Sequence, residues 1–325
     1  AQPAQQPVYY ALVQPPKWAD PARLEQKELR RAASRLSFAT MTSLPIQVLW
    51  TTLATLILTV CGVNLMGPNT IGVFPPTAYY LISSIASFLS IVLPFSFFLF
   101  FGKRKLSDTV LVEKNGVLNS VLLVFAGLAV SVLMNIPANL ISQFLEGAGL
   151  NGDANTADLL AMTPVQALTM FVSVVLVAPV TEEFAFRSVT TAVMRRWGDW
   201  PAVIFSALIF GMAHYSIQSL PVVLTAGFVM ALLYVRTRNI WVNIFVHMLN
   251  NLLATLPIAL EGLVGADAAN IASNLLTYIV YGLGLIALVV LLIRNFTGHK
   301  VFRTPMQRGV PVRGKALWMF VNPGF

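Results

Sequence analysis

The sequence reads as an all-α protein, a polytopic membrane helical bundle of about eight transmembrane helices with N-terminus and C-terminus cytoplasmic, on three grounds. The first is composition: 57% of its 325 residues are hydrophobic and only 10% are charged, where soluble domains carry about 25% charged residues. The second is spacing, because residues 36–102, 115–145, 159–181, 200–235, 239–260 and 268–293 hold no Asp, Glu, Lys or Arg. A span needs roughly 20 apolar residues. The first and fourth blocks must therefore each fold back once, at Gly67-Pro68-Asn69 with Pro75-Pro76 and at Ser216 to Pro221. The third is sidedness, since positive side chains favour the cytoplasmic side of short loops. Threading eight spans from a cytoplasmic N-terminus puts Lys103-Arg104-Lys105, Lys114, Arg195-Arg196, Arg236, Arg238 and Arg294 all inside. It leaves the opposite loops only acids such as Glu146, Asp153, Asp158, Glu261 and Asp267.

Residues 1–40 open with AQPAQQPVYYALVQPP, which lacks the basic n-region and apolar core of a secretory signal. No cleavage is expected there, and a first residue other than Met suggests trimming. DPARLEQKELRRAASRLS follows, with Asp20 as a cap and Pro21 at the first helical position. Leu24, Leu29 and Leu36 among basic residues mark an interfacial amphipathic helix. Residues 41–160 hold three spans. Cys61, the sole cysteine, is expected as a packed apolar side chain in the first of them, which excludes a disulfide framework and a thiolate metal cluster. Four helices fill 161–262 and one more 263–295. A basic cytoplasmic tail, 296–325, ends in ALWMFVNPGF, suited to the membrane surface or to docking on the cytoplasmic face. The net charge of +8 is thus spent on orientation among membrane lipids, and no nucleic acid partner is implied.

Against this background two adjacent carboxylates stand out. Glu182 and Glu183 interrupt the apolar run FVSVVLVAPVTEEFAFRSV, and an ionisable group at such depth costs enough that it usually faces a cavity and performs a task. Two of the three histidines also fall in spans: His214 closes Phe210-Gly211-Met212-Ala213-His214, and His247 opens His247-Met248-Leu249-Asn250-Asn251. Counted from the cytoplasmic end of each helix, Glu182 lies 13 residues before Arg195, His214 lies 13 after Pro201, and Asn251 lies 13 after Arg238. All three can share one depth, roughly 20 Å along each axis. His247 and Asn251 are four apart and so project from one helical face. Glu183 and Arg187 are also four apart, in the order that suits an internal ion pair, which leaves Glu182 on another face without an intrahelical cation. Gly211, Ala185 and Ala213 permit close helix approach, and Pro179 frees backbone carbonyls that can line a cavity.

The motifs Glu182-Glu183-Phe-Ala-Phe-Arg187, Phe210 to His214 and His247 to Asn251 resemble EExxxR, FxxxH and HxxxN of the CAAX prenyl protease and bacteriocin-processing family of intramembrane proteases, in the same order. The resemblance covers about residues 165–260, the catalytic core within 161–262. It implies an endopeptidase acting on a membrane-associated protein or peptide, prenylated CAAX proteins among the candidates, from a site opening to the cytoplasmic side. It further implies that Glu182 and His214 bind and deprotonate a water, that His247 and Asn251 stabilise the oxyanion, and that Glu183 and Arg187 orient the first glutamate or hold a substrate carboxylate. No cofactor is favoured. Zinc is the alternative, with Glu182, His214 and His247 as an oxygen and two nitrogen ligands, although the HExxH arrangement is absent. A different class, a non-proteolytic transporter or bacteriocin-immunity protein, also uses buried Glu and His. Transporters often show two related halves, and only a short echo is present here, LEGAGLNGDA near 145 and LEGLVGADA near 260.

Overall fold

The computed structural model describes residues 21–63, 76–150, 163–299, 301–304 and 319. The expected Asp20 cap, the Gly67 to Pro75 reversal, Asp153 and Asp158, and most of the tail lie outside these residues. Among the described residues the chain is helical apart from turns and one isolated antiparallel bridge between Val112 and Asn239. Twelve α-helical segments are numbered α1 (Pro21–Met41), α2 (Ser43–Val60), α3 (Pro76–Ser87), α4 (Leu93–Phe101), α5 (Val117–Gly147), α6 (Pro164–Met170), α7 (Ala178–Glu182), α8 (Ala192–Met194), α9 (Asp199–Met212), α10 (Leu220–Thr237), α11 (Ile240–Val264) and α12 (Ala266–Phe296).

Several of these join end to end. A π-helical turn at Phe88–Val92 links α3 to α4. The rod Pro164–Trp197 contains α6, α7 and α8 separated by π-helical stretches at Phe171–Val177 and Glu183–Thr191. Among the described residues seven stretches are long and apolar enough to cross a membrane: Ala22–Val60, Thr77–Phe101, Val117–Gly147, Pro164–Trp197, Leu220–Thr237, Ile240–Val264 and Ala266–Phe296. An eighth apolar helix, α9, has only 14 residues, about 21 Å of rise, which is short of a bilayer's hydrocarbon thickness of about 30 Å. The uncharged block 200–235 does divide in two, with the break between Met212 and Leu220. Large apolar side chains stand outward, such as Leu49, Phe144, Tyr278 and Phe296. Such an outward apolar surface suits an integral membrane protein, in which helix association rests on close packing instead of hydrophobic collapse.

One sequence expectation is corrected here. Cys61 caps the end of α2 and is exposed, not packed, because it lies in the last turn of that helix, where Val60, Gly62 and Val63 are exposed too. Much of the apolar face of α1 packs on protein: Leu29, Ala33, Leu36 and Ala39 are buried in the core with Phe95 and Leu99 of α4 and Val193 of α8. The basic side chains Lys27, Arg31 and Arg35 occupy its exposed face.

The central core is built around the rod. Phe186 stacks edge-on between Phe95, 5.8 Å away, and Phe210, 5.2 Å away, contacts worth about 0.5–1.5 kcal/mol each beyond burial. The capping box of Thr163 and Gln166 starts the rod by satisfying two otherwise orphaned backbone N–H groups. At its other end Gly198 reverses the chain at φ 118°, and Arg195 pairs with Asp199 across the turn at 2.8 Å, which aims α9 back along the rod. α9 and α10 then approach closely, because a Cβ on Gly227 would meet Phe210 at 2.8 Å. The last helix packs on α5 by the same device at Gly284, where a Cβ would strike the carbonyl of Phe125.

Candidate active site

Glu182 ends α7 and Glu183 begins the following π stretch, so the pair sits where one helical register gives way to another. Such turns are common at functional sites. The neighbours face different surroundings. Glu183 is fully buried. Its Oε2 lies 3.2 Å from Nε of Arg187 and accepts from Nδ2 of Asn243 at 3.3 Å, and its Oε1 lies 3.0 Å from Nδ1 of His247. A carboxylate can only accept, so Nδ1–H of His247 donates. Arg187 is equally buried, with its guanidinium carbon 4.5 Å from the centre of the Phe210 ring, a cation–π contact worth about 2 kcal/mol when desolvated. Its Nη1 and Nη2 have no hydrogen-bond partner among the described residues.

Glu182 is left open by contrast. Its Oε2 is buried without a hydrogen-bond partner among the described residues, and Nε2 of His247 stands 3.8 Å off, beyond hydrogen-bond length. Glu182 lines a part-polar cavity of about 210 Å³ together with His214, Tyr215, Thr40, Ser43 and Gln47, with Ile91, Phe95 and Phe186 as its apolar lining. His214 lies just past α9, where its Nδ1 is 2.9 Å from the carbonyl of Phe210. A carbonyl cannot donate, so that nitrogen carries the proton and Nε2 is left for the cavity.

The structure therefore brings Glu182, Glu183, Arg187 and His247 into direct contact or near contact, and puts His214 on the Glu182 cavity. Asn251 is placed differently: its Nδ2 donates to the carbonyl of Val174 at 2.9 Å. In a π register the donor to that carbonyl would be five residues on, at Pro179, which has no N–H. Asn251 thus takes up an acceptor that Pro179 leaves unclaimed and ties α11 to the rod. His299 follows α12 and is exposed. Among the described residues no three His, Cys, Asp or Glu side chains are gathered so as to hold a metal ion, Glu182, His214 and His247 included.

Sequence reasoning missed Asn243, which is fully buried and also donates to the carbonyl of Met230 at 2.6 Å. The signal was available: Asn243, His247 and Asn251 recur every four residues and form one polar stripe on α11. An apolar groove of about 580 Å³ lies on a further side of the rod, between Val180, Thr181 and Phe184 and the Phe88, Val92 and Phe100 face of the helix opposite, with Arg104 on its wall.

All six of the sequence-predicted site residues fall within one stretch that matches a known family. Residues 164–253 match the family model of type II CAAX prenyl endopeptidases, Rce1-like. A relative from Bacillus subtilis (strain 168), named "Putative membrane peptidase YdiL", is 31% identical over 140 residues, 43% of this chain. The alignment spans 57% of the length of that relative. No solved structure matches the chain. The Rce1-like segment begins at the first residue of α6 and ends within α11, so it takes in the whole rod, α9 with His214 just past it, α10 and the part of α11 that carries His247 and Asn251.

Proposed function

We propose that this protein is an intramembrane endopeptidase that hydrolyses a peptide bond of a membrane-associated protein or peptide, with Glu182 as general base. The observation that carries this reading is that Oε2 of Glu182 has no hydrogen-bond partner among the described residues and that Glu182 lines a part-polar cavity together with His214, next to a second glutamate whose charge is already compensated. A water held between Glu182 and Nε2 of His214 gives its proton to the carboxylate, and its oxygen bonds to the scissile carbonyl carbon. The electron pair displaced onto the carbonyl oxygen is met by the Nε2–H of His247, when that ring carries both protons, and by the second amide hydrogen of Asn251. One such preorganised donor is worth about 3 kcal/mol. Collapse breaks the C–N bond as Glu182 returns the proton to the departing nitrogen, leaving a carboxylic acid and an amine, and the acid's remaining proton then passes to the amine to give carboxylate and ammonium.

Glu183 and Arg187 hold the first glutamate and His247 in place. The apolar groove alongside Val180 and Phe184 supports a substrate with an apolar or lipidated part, prenylated CAAX proteins among them, and the basic loops support a site opening to the cytoplasm.

The test is cleavage of a peptide panel, including a farnesylated CAAX peptide, by detergent-purified wild type and Glu182→Gln, with and without chelator and zinc add-back. Cleavage lost only in the variant is expected. Loss on chelation with rescue by zinc would make Glu182, His214 and His247 ligands instead, and absence of any cleavage would return the transporter or immunity reading.

A further inference from the structure

Tyr215 follows His214 and has no part in the chemistry above, yet three observations single it out. Its φ is 52°, a left-handed conformation that costs a side-chain-bearing residue about 1–2 kcal/mol, and such backbone persists only where its surroundings hold it. Its hydroxyl lies 2.7 Å from Oγ of Ser43, 172 positions away in sequence, and 3.5 Å from the carbonyl of Thr40. Both Tyr215 and Ser43 border the cavity that holds Glu182 and His214.

The direction of the bond follows from proton counting. Oγ of Ser43 donates to the carbonyl of Thr40 at 2.6 Å and has no second hydrogen, so the Tyr215 hydroxyl is the donor to Ser43. Ser43 is buried at the first residue of α2. The His214 ring is held from α9 by its Nδ1 contact with the Phe210 carbonyl, while the backbone N–H groups of His214 and Tyr215 reach the carbonyls of Gly211 and Met212 at 3.2 Å each, so the Tyr215 hydroxyl ties the turn to a second element.

We propose that Tyr215 is a positioning residue whose hydrogen bond to Ser43 fixes the His214 turn against the α1–α2 corner, making helices outside the matched segment part of the active site. It acts through His214 by holding Nε2 at the cavity, and it rests on the endopeptidase reading only for its effect on turnover.

The test has two readouts. In steady-state cleavage of the panel above, Tyr215→Phe and Ser43→Ala are each expected to lower kcat about tenfold with KM changed less than twofold. The double variant should be no worse than Ser43→Ala alone, because both single changes remove the Tyr215 to Ser43 bond. Full kcat in Tyr215→Phe, a loss confined to KM, or losses that multiply would overturn the proposal. The second readout needs no substrate. In 13C-histidine-labelled protein the ring resonance of His214, assigned by its disappearance in His214→Gln, is expected to shift or broaden in both single variants while those of His247 and His299 stay put. An unmoved His214 resonance would overturn the latch whatever the cleavage assay shows, whereas a moved resonance without any cleavage by wild type would support the latch and remove the protease reading alone.

Discussion

Glu182 and Glu183 are neighbours, yet the two sides of the rod that carry them are built in opposite ways. On the α10–α11 side, Glu183 receives Arg187, Asn243 and His247, and all four polar groups are buried. On the side facing α1, α2 and the helix that follows α3, Glu182 meets a cavity edged by hydroxyls and keeps an oxygen unpartnered among the described residues. One residue type thus has two physical situations. A carboxylate whose donors are supplied by the fold is spent on stability. A carboxylate whose donors must come from outside is available for water or substrate.

The contrast orders its own tests. The largest effect expected is on turnover: Glu182→Gln should lower kcat by more than a thousandfold, because the base is removed while its volume remains, with a melting temperature close to wild type. Glu183→Gln should act mainly on stability. Breaking a buried ion pair leaves an uncompensated charge at a cost of about 3–5 kcal/mol, so detergent-purified variant is expected to melt well below wild type or to be recovered in low yield. Asn243→Ala sharpens the same side by removing one donor from Glu183 and the side-chain tie to the Met230 carbonyl, and is expected to cost about 1–3 kcal/mol in chemical denaturation. Gly227→Ala should cost a similar or smaller amount, about 1–3 kcal/mol from overpacking. It would displace Phe210, the ring that carries Arg187 and lies 4.8 Å from the His214 ring, so the melting curve and kcat should fall together.

Much of the bundle was legible in the sequence because a bilayer forbids charge over long stretches, and the uncharged blocks coincide with helices for that reason. The reversal in 200–235 was legible from Ser216 to Pro221, although the brevity of α9 was not, since block length does not report where a helix stops. Within the site, i and i+4 spacing foretold that Glu183 and Arg187 could meet, as they do at 3.2 Å. The same rule applied backward from His247 would have found Asn243. Pro179 was read as freeing a carbonyl, and the Val174 carbonyl taken by Asn251 is consistent with that. Two features lay beyond local pattern. The π stretches flanking Glu182 depend on how the rod packs, and the Tyr215 to Ser43 contact joins segments whose meeting no periodicity reveals. The protein contacts of Leu29 and Leu36 on α1 were hidden for a related cause: an apolar stripe between charges looks alike whether it covers lipid or protein.

The central claim is that the two glutamates divide the work, and one paired measurement tests it most directly: turnover and thermal unfolding of Glu182→Gln and Glu183→Gln from the same preparation. The account predicts that Glu182→Gln keeps the wild-type melting curve and loses turnover, while Glu183→Gln loses the melting curve. Wild-type turnover in Glu182→Gln, or a wild-type melting curve in Glu183→Gln, would contradict it.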